Sequence, residues 1–195
     1  MADKKAVLIA ITPQDVRHDE ARQIATILDG GATFVHLRHP GATYSDMKRI
    51  IEDIPQRYHS RLRLHGHFEL LNEFNLGGIH LNSRCPQAPL LYHGSVSRTC
   101  HSVEEVNEAA QYVDFVTLSP ICNSISKPGY EGAFTHEQLS SLPLGKVVAL
   151  GGITPGHISE LKQYPFIGYA VLGYLWEAQT TDELTQRLDK LTSAL

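Results

Sequence analysis

Between residues 146 and 173 the chain reads KVVALGGITPGHISELKQYPFIGYAVLG. A short aliphatic run at residues 146–150 gives way to Gly-Gly, then to helical spacing at residues 157–164, then to a second apolar run at residues 168–171. Two such runs around one helical stretch are the pattern of a β-loop-α-β unit in a parallel sheet, where strands buried on both faces are apolar throughout. Outward from this unit the pattern repeats. Further strand candidates lie at residues 6–11, 33–37, 62–65, 78–81, 94–99 and 114–118, which brings the count to eight. Between them, residues 19–28 place Ala21, Ile24, Ala25 and Leu28 on one helical face, and residues 45–54 do the same with Met47, Ile50, Ile51 and Ile54. Other helices are expected at residues 69–75, 103–111, 136–141 and 182–191, with residues 82–93, which hold two prolines, only partly helical. Ser45 and Ser102 read as helix N-caps and Gly30-Gly31 as a helix stop.

Eight buried strands in alternation with helices predict an α/β fold, a single (β/α)8 TIM barrel spanning residues 1–195. Such barrels usually take roughly 200 to 250 residues, so the connections here must be short. The competing architecture is a doubly wound open sheet. For a dinucleotide it would place a GxGxxG turn after the first strand, and no such turn is there.

With 42% apolar and 19% charged residues, the 195-residue chain has material for one sizeable core. A formal charge of -4 offers no overall attraction to nucleic acid or to an anionic membrane. The apolar run near the N-terminus is too short for a secretory segment or a membrane span. Cys85, Cys100 and Cys122 are odd in number and widely spaced, which supports neither a disulfide framework nor a paired-cysteine metal site. A cytoplasmic protein acting on a small molecule is expected, with a homo-oligomer left open.

In a barrel the ligand meets the loops that follow the strands. Gly151-Gly152 ends the seventh strand and lets backbone N–H groups approach an anion closely. Gly173, at the end of the eighth, is placed to open a short helix aimed at the same point. The long loop after the sixth strand carries Ser124 and Ser126, whose hydroxyls share one side of an extended backbone, with the cation Lys127 beside them. These groups together outline a phosphate cup. Arg38, after the second strand, can grip a phosphate with its planar fork. Histidines gather at other strand ends: His65 and His67 after the third, His80 in the fourth and His101 after the fifth. A histidine exchanges protons near neutral pH, so this ring invites acid/base chemistry; the spacings match no zinc signature and no metal site is expected from them.

With these elements in order, the chain resembles the thiamine phosphate synthase and TenI (thiazole tautomerase) family over nearly its whole length. The likeness is carried by Leu37-Arg38, by Gly78-Ile79-His80-Leu81 and by the His101-Ser102-Val103-Glu104-Glu105 helix start. It continues through residues 114–120, DFVTLSP, the Ser124-to-Lys127 loop with the GYEG at residues 129–132, and ALGGIT followed by AVLG. The resemblance implies that Ser124, Ser126, Gly151, Gly152, Leu172 and Gly173 cradle the phosphate of a thiazole phosphate or of thiamine phosphate. In the synthases, Arg38, Lys127 and a hydroxyl at Thr99 would hold the diphosphate of an aminopyrimidine, with Mg2+ helping it leave.

Several positions depart from the family pattern. Pro40 stands where the family has a lysine, His65-Gly66 where it has Asn-Asp, and the second metal-binding Asp, expected near Arg84 or Cys85, is absent; residues 74–103 hold no Asp or Glu. Imidazole is a poor substitute for carboxylate around magnesium. The TenI members lack those ligands and isomerise a thiazole phosphate by proton transfer, but their catalytic histidine falls where this chain has Pro120. The expectation is therefore a metal-independent, TenI-like thiazole phosphate tautomerase, with its catalytic groups among His65, His67, His101 and Lys127. No cofactor is expected, and Mg2+ only if synthase activity is retained. The alternatives are thiamine phosphate synthase and a non-catalytic barrel that binds a phosphorylated ligand or regulates through it.

Overall fold

A computed structural model describes residues 6–122 and 134–195. Eight strands, β1 (Val7–Ile11), β2 (Phe34–Leu37), β3 (Leu62–Leu64), β4 (Gly78–Leu81), β5 (Val96–Cys100), β6 (Phe115–Leu118), β7 (Val147–Leu150) and β8 (Phe166–Val171), follow one another in chain order around a closed barrel. Each pairs in parallel with the next, and β8 returns to β1 through Ile9↔Ala170 and its neighbours. This is the TIM barrel that the eight apolar runs predict.

Successive side chains on a strand point to opposite faces, so each strand serves two cores. Outward-facing Leu8, Ala10, Val35, Leu37, Leu62, Leu64, Val116 and Val147 pack under a ring of helices. In chain order the helices among the described residues are α1 (Glu20–Asp29), α2 (Tyr44–Asp53), α3 (Val103–Ala109), α4 (His136–Ser140), α5 (Pro155–Leu161), α6 (Gly173–Trp176) and α7 (Thr181–Ala194). They contribute buried Ile24, Ile27, Met47, Ile51, Val106, Ile158, Leu184 and Leu188. The inward faces split into two sectors. Ile9, Ile11, Val148 and Ala170, from β1, β7 and β8, form an apolar cluster with Phe115. From β2 to β6 the interior is instead polar, with buried His36, Arg63, His80, Ser97 and Thr117.

Three local expectations are corrected. Residues 69–75 do not form an α-helix; a short 3-10 turn, Phe68–Asn72, serves instead, because two turns of chain suffice to return to β4. No helix forms between β4 and β5. The N-cap of α2 is Thr43, not Ser45: its hydroxyl accepts from the Asp46 amide while the Asp46 carboxylate accepts from the Thr43 amide, a complete capping box. Ser102 caps α3 as expected, accepting from the Glu105 amide at 3.2 Å.

Candidate active site at the barrel mouth

The polar sector begins with Arg63, whose guanidinium lies 4.4 Å from the ring centre of Phe34 and 5.2 Å from that of Phe115 and donates to Ser95 Oγ at 2.9 Å. Gly78 makes room for it, since a Cβ there would stand 2.4 Å from Arg63 Nη1. Above this buried cation sit three imidazoles. His36 Nδ1 and His65 Nε2 share a hydrogen bond of 2.9 Å, and the His65 ring stacks on that of His80 with centres 4.3 Å apart.

Hydroxyl partners fix the state of His80. Ser97 donates its proton to the Ile79 carbonyl at 3.2 Å, so its oxygen accepts from His80 Nδ1–H at 2.8 Å. The bare His80 Nε2 then accepts from the Thr99 hydroxyl at 2.7 Å. Burial is the first cause holding His36, His65 and His80 below the ordinary imidazole value, with His80 brought down to about 3. Arg63 adds its repulsion to His36 and His80, while His80, His36, Arg38 and Arg84 add theirs to His65. All three rings are neutral at physiological pH. Among the described residues His36 Nε2 is buried without a partner.

A cavity of about 170 Å³ opens beside this cluster at the ends of β2, β3 and β4, lined by Arg38, His65, His67, Arg84 and Cys85 among others. His67 is held with a left-handed backbone, φ 51°, and both its ring nitrogens are engaged, Nε2 with the Ala42 carbonyl at 2.9 Å and Nδ1 with Glu69 at 3.3 Å. His101 stands apart from this cavity: exposed, its Nδ1 bonds the Ser119 carbonyl at 2.9 Å. Thr99 faces the barrel interior through its bond to His80.

On the opposite side of the mouth, Gly151, Gly152, Leu172 and Gly173 line one cavity of about 140 Å³. Gly151 and Gly152 have φ of 99° and 65°, and a Cβ on Gly151 would stand 2.9 Å from Pro120 Cα, so side chains are excluded there on both counts. Gly173 opens α6, as expected. The exposed carboxylate of Glu177 also lines this cavity, within 3.0 Å of where a Gly173 Cβ would be. Ser124, Ser126 and Lys127 lie outside the described residues.

Nitrogen atoms of His36, His65 and His80 lie within 4.8 Å of one another, a set that suits a borderline metal ion better than magnesium. Arg63, Arg38 and Arg84 surround that point with positive charge, and the lining of the β2–β4 cavity holds no carboxylate. The described residues do not fit magnesium. His36 and Arg84 were missed from the sequence. The period-two alternation Phe34, His36, Arg38 was the signal for the first, since it places all three on one strand face; the second sits in a turn with no periodicity.

A closed parallel barrel with two mouth cavities, one glycine-lined and one flanked by arginines and histidines, defines a (β/α)8 protein. The model of the TMP–TenI family, described as thiamine monophosphate synthase, matches residues 8–175, and the chain belongs to that family. It is similar to a structure of thiamine phosphate pyrophosphorylase from Bacteroides thetaiotaomicron, with 36% identity over 96% of each chain and a TM-score of 0.86. A thiamine-phosphate synthase of Latilactobacillus sakei is 24% identical, over 94% of this chain and 89% of that protein. A thiamine phosphate pyrophosphorylase structure from Pyrococcus furiosus, 20% identical over 98% of this chain and 96% of its own, has the same fold with a TM-score of 0.78.

Proposed function

We propose that the barrel binds a thiazole phosphate or thiamine phosphate, with the phosphate against Gly151, Gly152, Leu172 and Gly173, and that it isomerises the thiazole phosphate by proton transfer without a metal. The observation that carries this reading is the hydrogen-bonded His36–His65 pair beside the cavity. His65 Nε2 is held by His36, and Nδ1 has no partner among the described residues. A ring held neutral can accept a substrate proton at Nδ1 while its Nε2 proton passes to His36 Nδ1. The charge then rests on His36, whose Nε2 already carries its proton, and burial with the nearby Arg63 guanidinium disfavours that imidazolium, so the proton is driven back to the substrate. Return of the proton at another substrate atom reverses the relay, which is the requirement of a tautomerase. His67, with both nitrogens engaged, and His101, outside the cavity, are less suited to the task, and Lys127 remains a candidate acid.

The second reading, thiamine phosphate synthase, is favoured by the likeness to the 36% identical thiamine phosphate pyrophosphorylase. The two separate in one assay. With thiazole phosphate tautomer as substrate and EDTA present, turnover is expected to persist, to fall by about 100-fold or more in kcat for His65→Asn, and to survive His101→Ala. Product formed only from the aminopyrimidine diphosphate with thiazole phosphate, and only with magnesium, would replace this reading with the synthase. Ligand-induced thermal stabilisation with no turnover of either substrate would leave a binding protein.

A further inference from the structure

We infer that His157 is a positioning residue for the glycine-lined cavity: its imidazole holds the Gly152 carbonyl toward α5 and so turns the Ile153 amide to the cavity, as a further ligand contact beside Gly151 and Gly152. The role rests on that cavity being a phosphate site, and it names what fixes the donors there.

The turn after β7 is held through its carbonyl oxygens. Leu150 O accepts from the Ile121 amide at 2.9 Å and Gly151 O from the Cys122 amide at 3.0 Å, so the chain after β6 ties the first two peptide units. Among the described residues no backbone donor reaches the third unit, between Gly152 and Ile153. His157 supplies one from the first turn of α5, with Nδ1 2.7 Å from the Gly152 carbonyl oxygen. A carbonyl only accepts, so Nδ1 carries the proton, and Thr154 Oγ1, 3.1 Å from the same nitrogen, is a second and longer contact. Thr154 caps α5 through its own hydroxyl, which accepts from the His157 amide at 3.4 Å. The helix start therefore does not need the imidazole, whereas the Gly152 carbonyl does.

In a planar trans peptide C=O and N–H point opposite ways, so a Gly152 carbonyl turned to α5 sends the Ile153 N–H away from it. Gly151, Gly152 and Ile153 all line the one cavity, and among the described residues no protein acceptor takes any of their three amides. Glycine leaves the turn free to rotate, with φ of 99° and 65° and no side chain to lock it. Reversal of the Gly152–Ile153 plane would face an incoming anion with a carbonyl oxygen instead of an N–H, exchanging an attractive dipole for a repulsive one. The bond from His157 opposes that reversal.

The test titrates the 15N-labelled full chain with inorganic phosphate and reads the backbone amides in the wild type, His157→Ala and His157→Asn. In the wild type, phosphate should shift Gly151, Gly152 and Ile153 along one saturation curve, and long-range spectra of the imidazole at about pH 8 should show its proton on Nδ1. His157→Ala should weaken phosphate binding by about tenfold, the worth of one net hydrogen bond, and abolish the Ile153 shift. His157→Asn carries a donor the same number of bonds from the backbone and should restore most of both. Thermal midpoints check that the variants fold, and the wild-type spectra and His157→Asn carry the test if His157→Ala does not. A role confined to the helix would leave phosphate affinity unchanged in His157→Ala; that result, a His157 proton on Nε2, or His157→Asn binding as weakly as His157→Ala would each overturn the inference. If phosphate moves the two glycine amides but not Ile153, this inference fails alone; if it moves none of the three, the reading of the cavity fails with it.

Discussion

At the scale of single residues, His36, His65 and His80 couple stability to pH. The unfolded chain titrates its histidines near 6.5, whereas burial and neighbouring cations hold these three well lower in the folded barrel. A folded pKa depressed below the unfolded one means that the unfolded state takes up protons first. The stability is therefore intact above pH 6.5 and is lost as pH falls from there toward the folded values, about 3 for His80. Between pH 7.5 and 5.5 each group should remove on the order of 1 kcal/mol, so urea unfolding should show a loss of roughly a few kcal/mol in all. Replacing His80 with Gln, which keeps a polar side chain for Ser97 and Thr99, should reduce that pH-dependent loss by about a third. An unfolding free energy flat across this range would contradict the neutral cluster. The sequence made part of it legible. His65 and His80 sit at strand ends, where a barrel looks inward, but what keeps them neutral is burial first, with Arg63 adding its charge against His80, and the packing of Arg63 between Phe34 and Phe115 comes from three strands that only the closed fold brings together.

At the scale of elements, the first helix is locked to the loop that carries Arg38. His39 Nε2 and Glu20 Oε1 are 2.6 Å apart with both side chains buried, and Glu20 Oε2 accepts from the Arg17 amide at 3.1 Å. Removing the imidazole leaves a buried carboxylate without its partner, which costs far more than an exposed ion pair. His39→Ala should destabilise the barrel by about 3 kcal/mol, read by urea denaturation. Glu20→Ala with His39→Ala should recover part of that loss, and a double variant whose loss is the sum of the two single losses would deny the pairing. Strands and long helices were legible because their apolar residues recur at fixed periods over many positions. Short connections were not. Thr43 and Ser45 are equally good caps by residue type, and the choice between them fell to Asp46, whose carboxylate completes the box with Thr43. Residues 69–75 carry a helical pattern, but the direct return to β4 left room only for the turn Phe68–Asn72.

At the scale of the whole molecule, the barrel interior is polarised. The apolar side, β1, β7 and β8, ends in the glycine-lined cavity, and the polar side, β2 to β6, ends in the cationic one, with His65 beside it. A phosphorylated heterocycle laid across the mouth would put its phosphate at one pole and its reacting ring near His65. The convergence of Gly151, Gly152 and Gly173 was legible because strand order in a barrel makes the ends of β7 and β8 neighbours. His36 was signalled only by its alternation with Phe34 and Arg38, and Arg84, in a turn, had no comparable signal. The most direct measurement follows the backbone amides of Gly151, Gly152 and Gly173 in 15N-labelled protein as thiazole phosphate is added, with the unphosphorylated thiazole as control. All three should shift together, saturably, with the phosphate ester and hardly at all with the alcohol; saturable binding of the ester that leaves these amides unmoved would contradict the account.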